Sequence, residues 1–194
     1  MNLPNKLTVL RILLVPFMIA ALLIPFAHHI LVAGLIFGAA SITDCLDGKI
    51  ARKRNLITAF GKFADPLADK ILVIASLICF IALGWCDPVL PIVVLFREFA
   101  VTSVRLVAAS KGNVVAANIW GKLKTVSQIV AIVAIFVMQY FTELCTLGII
   151  PLDTSIFSGI FYIIGEVLLW ITGVVAVISG VIYVLECKEY ISDY

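Results

Sequence analysis

Long apolar stretches separated by short polar clusters run along the whole chain. Positions 12–43 contain no charged residue, and these 32 residues would form about 48 Å of helix. One crossing of a bilayer needs about 20 residues, so this stretch and its flanks hold two crossings. Pro25 and the two following histidines, His28 and His29, mark the turn between them.

The remaining apolar stretches extend this pattern to an all-α fold, a polytopic membrane protein with six transmembrane helices in a single catalytic domain, 1–194. Residues 155–164, ahead of Gly165 and Glu166, are expected to form an interfacial or tilted lead-in to the last crossing. Two full crossings within 154–185 are the alternative. The predicted crossings are 7–24, 30–46, 65–83, 89–109, 124–141 and 166–185.

Composition supports a membrane protein. The chain is 63% hydrophobic and 13% charged, whereas a soluble domain is about half apolar and a quarter charged. A chain so poor in charge cannot cover a globule with polar surface, which excludes a soluble enzyme. The net charge of +2 is too small to indicate a nucleic-acid partner, so membrane lipids are the expected surroundings.

The basic residues predict the orientation. All 14 lysines and arginines lie near the N-terminus, in 49–70, in 97–124 or at Lys188. With six crossings these regions share one side of the membrane. The positive-inside rule then places both termini and the basic side in the cytoplasm, as expected for a multi-pass protein of the cell inner membrane.

Four aspartates lie where the second crossing ends and the third begins. Asp44 and Asp47 are three residues apart, and Asp65 and Asp69 are four apart, so each pair occupies one helix face. Because the connection between the two helices is short, the two faces are expected to meet at the cytoplasmic boundary. The residues alone also allow these acids to be ordinary interfacial charges at helix ends.

Four neighbouring carboxylates repel one another and lose hydration at membrane depth. Protonation would relieve this repulsion, and so would Mg²⁺ or Mn²⁺, which prefer carboxylate oxygen ligands. Two divalent cations would balance four negative charges. Two such ions roughly 3.5–4 Å apart stabilise in-line attack at phosphorus, which predicts a two-metal site for phosphoryl chemistry.

The spacing D-x2-D-G-x2-A-R-x8-G-x3-D-x3-D resembles the signature of the CDP-alcohol phosphotransferase family without a departure. Its eight positions here are Asp44, Asp47, Gly48, Ala51, Arg52, Gly61, Asp65 and Asp69. Segments 3–11, 97–99 and 121–125, together with Arg105, are similar to members that make phosphatidylglycerol phosphate. The resemblance covers about residues 2–128.

The resemblance implies a six-helix membrane enzyme, usually a homodimer, that transfers a phosphatidyl group from CDP-diacylglycerol to an alcohol and releases CMP. It implies that Asp44, Asp47 and Asp65 hold two Mg²⁺ or Mn²⁺ ions. Asp69 would contact a metal ion and act as the catalytic general base on the acceptor hydroxyl. The residues implied to contact CDP-diacylglycerol are Asn5, Thr8, Gly48, Arg52 and Thr58.

Basic residues in the fourth and fifth crossings predict the acceptor. Arg97 and Arg105 are about 80° apart on one broad helix face. Lys122 and Lys124 are about 200° apart, so both face the site only if their helix begins between them, as Gly121 suggests. These four side chains are expected to bind the phosphate of glycerol 3-phosphate. The alternatives are one intramembrane ion-pair network of Glu98 with Arg105, seven residues apart, and lysines that serve as membrane anchors.

Other functions remain open at this point. The same chemistry with phosphatidylglycerol as the acceptor would give a cardiolipin synthase, and inositol phosphate is another possible acceptor. A small cation transporter that uses the aspartates as an ion pathway is a hypothesis of a different class. It is disfavoured because the four acids lie at one end of the helices and the motif has no second copy.

Overall fold

The structure is a computed structural model that describes residues 3–53, 59–110 and 119–188, with the side chains at 3–4, 45–66, 69 and 110 outside the description. The described residues form six helices and no strand, which confirms the all-α prediction. The helices are α1 (Leu3–Leu23), α2 (His29–Lys53), α3 (Ala59–Ala82), α4 (Val89–Ser110), α5 (Ile119–Thr146) and α6 (Thr154–Glu186). α3 and α5 begin at Ala59 and Ile119, ahead of the crossings predicted from 65 and from 124, so both helices extend beyond their predicted crossings.

The helices form one bundle. α1 packs against α2 and α3, α2 packs against α5, and α6 packs against α4 and α5. The end of the bundle where α2 ends and α3 begins is called the aspartate end below, and the other is called the opposite end. Aromatic rings fill the middle of the bundle: the Phe136 ring centroid lies 5.3 Å from that of Phe80 and 5.7 Å from that of Phe37.

Three helix segments of the described chain are long and apolar enough to cross a membrane: Asn5–Leu23, Ile119–Thr146 and Thr154–Glu186. Shorter apolar stretches occupy His29–Asp44 and Lys70–Ala82. α2 and α3 also carry the aspartates and the basic residues around them, which shortens their apolar parts. The structure therefore supports a membrane protein, while the count of six crossings stays a prediction.

α6 differs from its prediction. It is one continuous helix of 33 residues, or about 50 Å, with no break at Gly165 and Glu166. Gly165 faces α5, where an added Cβ would meet the Ile135 side chain at 3.5 Å. Glu166 accepts a hydrogen bond from the backbone N–H of Asp87, just before α4. The expected lead-in at 155–164 is thus the first part of the same helix, and the alternative of two crossings is excluded.

α4 and α6 approach closely along two glycines of α6. A Cβ added at Gly173 would lie 2.4 Å from Leu90 Cδ1, and one added at Gly180 would lie 3.1 Å from Arg97 Cγ. Small residues allow this approach in an apolar solvent, where packing rather than the hydrophobic effect holds helices together. The close contact brings the Arg97 side chain against the backbone of α6.

At the opposite end, Glu143 of α5 caps α2. Its carboxylate is buried and accepts hydrogen bonds from the backbone N–H groups of His29 at 2.9 Å and Ile30 at 3.3 Å. The N-terminal N–H groups of a helix have no partner within the helix, and the helix dipole favours a negative charge there. Glu143 therefore fixes the start of α2 against α5.

We expect Glu143→Ala to lower the free energy of unfolding by about 1–2 kcal/mol, the cost of losing a helix cap. Glu143→Gln should lose less, because its amide oxygen still accepts a hydrogen bond. Unfolding by SDS titration from a mild detergent measures both. Glu186→Ala, which removes an exposed acid near the end of α6, is the matched control and should be neutral. An equal effect of Glu143→Ala and Glu186→Ala would contradict the capping role.

Candidate active site

The backbone places the four aspartates on neighbouring helices. Asp44 and Asp47 lie in the last three turns of α2, and Asp65 and Asp69 lie in the first three turns of α3. α2 and α3 contact each other. The described side chains include Asp44, whereas those of Asp47, Asp65 and Asp69 lie outside the description, as do those of Gly48, Arg52 and Thr58. Convergence of the four carboxylates therefore stays a prediction that the helix arrangement permits.

Asp44 has a cationic partner on α1. Its Oδ1 forms an ion pair with Nη1 of Arg11, whose side chain is fully buried, while 41% of the Asp44 side chain is exposed. The guanidinium therefore offsets the charge of Asp44 from the inside of the bundle and leaves the carboxylate open from the outside. Motif analysis did not assign this role to Arg11. The sequence did contain a signal for such a role, because Arg11 is a charged residue within the otherwise uncharged first crossing.

α1 contributes further polar residues at the aspartate end. Asn5, Thr8 and Arg11 follow one another at a spacing of three, and all three are buried. This spacing places them along one side of the helix. The continuation of the same side, through Val15 and Met18, belongs to the apolar core. Asn5 and Thr8 were both expected to contact CDP-diacylglycerol. They point into the bundle at the end that carries the aspartates.

Arg97 fastens α4 to α6. Its Nε donates to the carbonyl oxygen of Ala176 at 3.2 Å, and its Nη2 donates to Ser179 Oγ at 2.7 Å. Its Nη1 donates to Glu98 Oε1 at 3.1 Å. A buried guanidinium requires such partners, because an unpaired charge in an apolar interior is costly. The Arg97 contacts that the structure describes therefore join helices and hold Glu98.

Glu98 connects three helices of the site. Its Oε1 also forms an ion pair with Nζ of Lys124 on α5, and both side chains are largely buried. The Lys70 ammonium donates to Thr102 Oγ1, whose hydroxyl donates to the Glu98 carbonyl oxygen at 2.6 Å. Two cations, from α4 and α5, thus contact the Glu98 carboxylate, while Lys70 of α3 is linked to the Glu98 backbone through Thr102.

The structure separates the four residues expected to bind the acceptor phosphate. Arg97 and Lys124 are buried, whereas Arg105 and Lys122 are exposed. α5 begins at Ile119, so the expectation that its helix begins between Lys122 and Lys124 is wrong, and the two side chains point to different sides. The alternative of a network around Glu98 exists, with Arg97 and Lys124 as its contacts in place of Arg105.

A surface groove on α6 lies away from this cluster. It has a volume of about 600 Å³ and lies on α6 between Tyr162 and Val175. Its lining residues are apolar except for Tyr162, Glu166 and Trp170, and it spans the middle of α6. Because the groove offers no cation for a phosphate, the polar cluster at the aspartate end is the better candidate site.

Known proteins are similar to almost the whole chain. A Bacillus subtilis protein named CDP-diacylglycerol–glycerol-3-phosphate 3-phosphatidyltransferase is 42% identical over 175 residues, which is 83% of this chain and 89% of the relative. A Rickettsia felis protein of the same name is 37% identical over 191 residues, 97% of each chain. A Mycobacterium tuberculosis protein named probable phosphatidylglycerophosphate synthase is 39% identical over 158 residues, 80% of this chain and 75% of the relative.

The family match includes the four aspartates and the residues around Glu98. The pattern of the CDP-alcohol phosphatidyltransferase family covers residues 1–178, from the polar side of α1 to Ala176 on α6, and ends one residue before Ser179, the other α6 partner of Arg97. Enzymes of this family are generally dependent on divalent metal ions. The match also confirms the resemblance seen in the aspartate motif. The chain is a membrane enzyme and belongs to the CDP-alcohol phosphatidyltransferase family.

Proposed function

We propose that the protein transfers the phosphatidyl group of CDP-diacylglycerol to glycerol 3-phosphate, giving phosphatidylglycerol phosphate and CMP. The observation that carries this proposal is the name shared by relatives in Bacillus subtilis and Rickettsia felis, which align over most of both chains. The cluster of Lys70, Arg97 and Lys124 supports it independently. A phosphorylated acceptor needs fixed positive charge close to the aspartates.

The oxygen atoms of the four aspartates suit hard divalent cations as ligands. Carboxylates on two adjacent helices offer oxygen ligands, and the Asp44 side chain is 41% exposed although it is paired with Arg11. We assign two Mg²⁺ or Mn²⁺ ions to Asp44, Asp47, Asp65 and Asp69. Bound there, the ions would supply charge neutralisation of the donor diphosphate. The chain itself positions the carboxylates by placing each pair on one helix face.

The acceptor hydroxyl must lose its proton as it attacks phosphorus. We assign Asp69 as the general base that takes this proton, which requires the carboxylate within hydrogen-bond reach of the hydroxyl. Asn5 and Thr8 on the buried side of α1, together with Gly48, Arg52 and Thr58, would contact the CDP part of the donor. CMP then leaves as the donor phosphate is transferred.

Lys124 and Arg105 are the residues we assign to the acceptor phosphate among the four expected. Lys124 is buried next to Glu98, and Arg105 is exposed two turns beyond Arg97 towards the cytoplasmic end of α4. Arg97 supports the pocket by holding Glu98 and α6 in place. Lys122 is exposed on another side of α5, and we assign it only a minor electrostatic contribution to phosphate binding.

We place the enzyme in the cell inner membrane, with both termini and the aspartate end in the cytoplasm, as the basic residues indicate. Both water-soluble reaction partners, glycerol 3-phosphate and CMP, belong to that side. The lipid tails of the donor stay in the bilayer while its headgroup meets the site at the boundary. A homodimer is the proposed assembly, as the family resemblance implies.

Transfer rates over a panel of acceptors test the proposed reaction. Purified enzyme in detergent, with CDP-diacylglycerol and Mg²⁺ or Mn²⁺, should release CMP fastest with glycerol 3-phosphate. Phosphatidylglycerol, inositol phosphate and serine are compared at matched concentrations. A higher rate with one of these would show that glycerol 3-phosphate is the wrong acceptor, while the assignment as a phosphatidyl transferase would stand. Cation flux through vesicles without CMP release would support the transporter instead.

We expect Asp44→Asn to abolish transfer while the protein still inserts and folds, because the amide loses the charge that binds a cation. Removal of divalent ions with a chelator should also stop the reaction, and added Mg²⁺ or Mn²⁺ should restore it. Asp87→Asn, in the turn before α4 at the opposite end, is the matched control and should retain activity. Full activity in excess chelator would exclude the proposed metal site.

We expect Arg105→Ala to raise the KM for glycerol 3-phosphate about tenfold or more, because a charge-assisted hydrogen bond to phosphate is lost. Arg105→Lys should restore part of the affinity, since an ammonium lacks the planar fork of a guanidinium. Steady-state kinetics with each substrate varied in turn measure this. The KM for CDP-diacylglycerol is the internal control, and an equal rise in both KM values would argue against a role specific to the acceptor.

A further inference from the structure

Lys70 has an environment unlike that of the other cations near Glu98. It lies on α3, directly after Asp69, and its side chain is half-buried. Its ammonium donates to the hydroxyl of Thr102 on α4, and that hydroxyl in turn donates to the Glu98 carbonyl oxygen. The contact that holds Lys70 is therefore with a neutral group.

The other two cations, Lys124 and Arg97, both contact the Glu98 carboxylate, and Arg97 also donates hydrogen bonds to α6. Lys124 forms an ion pair with the Glu98 carboxylate. Arg97 donates to the same carboxylate oxygen and to two oxygens of α6. Among the side chains that the structure describes, no carboxylate lies within ion-pair distance of Lys70. Among the described side chains, its charge is thus held in place by a neutral group.

Lys70 follows Asp69 in the sequence, and the proposed acceptor is a short molecule. Glycerol 3-phosphate carries its reacting hydroxyl and its phosphate at the two ends of a three-carbon chain. If Asp69 takes the proton of that hydroxyl, the phosphate must lie within one short molecule of Asp69. Residues 69 and 70 are about 100° apart around α3, so the long, flexible Lys70 side chain would approach the phosphate from the α4 side, where Thr102 restrains its ammonium.

We propose that Lys70 binds the phosphate of the acceptor and so helps to select a phosphorylated alcohol, an inference that rests on the proposed function. Thr102 keeps the ammonium in position before the acceptor arrives. The phosphate then provides the negative charge that Thr102 cannot. Lys70 is thereby a residue of acceptor specificity on α3, in addition to Lys124 and Arg105 on α5 and α4.

Two substitutions separate the charge of Lys70 from its hydrogen bond. Lys70→Gln removes the charge and keeps a donor for Thr102, whereas Thr102→Val removes the acceptor and keeps the charge. We expect Lys70→Gln to raise the KM for glycerol 3-phosphate about tenfold or more, with the KM for CDP-diacylglycerol unchanged. Thr102→Val should leave both KM values within a factor of about three. Lys188→Gln, at an exposed lysine near the end of the described chain, is the matched control.

The outcomes distinguish this inference from the proposed function. No transfer to glycerol 3-phosphate by the unmodified enzyme would overturn the proposed function itself. Normal transfer together with an unchanged KM in Lys70→Gln would overturn the role of Lys70 alone. A tenfold rise in Thr102→Val together with an unchanged KM in Lys70→Gln would show that the α3–α4 contact, and not the charge, matters. If Lys70→Gln does not fold, Lys70→Met, which keeps the length and the apolar stem of the side chain, takes its place, with the same rise in KM expected and the same unchanged KM as the contradicting result.

Discussion

The structure depends on how charged side chains are compensated inside a bundle of apolar helices. Burial of an unpaired charge is costly, and removal of one partner from a buried pair is costly too. Each buried charge therefore draws its partner from another helix. Arg11 joins α1 to Asp44 of α2, Arg97 joins α4 to α6, and Glu98 joins α4 to Lys124 of α5. The charges that lower the hydropathy of α2, α3 and α4 are thus among the contacts that hold the bundle together.

Close packing and polar contacts reinforce each other between α4 and α6. Lipid tails are as apolar as leucine, so burial of apolar surface between helices gains little in a membrane. Gly173 and Gly180 bring the two helices close enough for the Arg97 guanidinium to reach the Ala176 carbonyl oxygen and Ser179. A larger residue at Gly180 would press on the Arg97 side chain. The orientation of Arg97, and through it that of Glu98, therefore depends on a glycine at position 180 of α6.

The sequence was informative where the signal is local and silent where it is not. Apolar stretches predict the order of the helices, and the spacing of Asp44, Asp47, Asp65 and Asp69 predicts which helices carry the site. Partner choice depends on tertiary contacts, which explains why the pairing of Arg11 with Asp44 and of Glu98 with Lys124 was not predicted. The continuity of α6 through Gly165 was not predicted either, and the close approach of that glycine to Ile135 of α5 is likewise a tertiary contact.

The two ends of the bundle compensate their acids in different ways, and this difference bears on where chemistry can occur. At the opposite end, Glu143 and Glu166 accept hydrogen bonds from backbone N–H groups, whose positions are fixed by the start of a helix or the turn before it. At the aspartate end, the partners of Asp44 and Glu98 are arginine and lysine side chains. A long cationic side chain can exchange a carboxylate for a phosphate with a small movement, whereas a backbone N–H in a helix cannot. Binding and release of anionic substrates are therefore possible at the aspartate end without unfolding any helix.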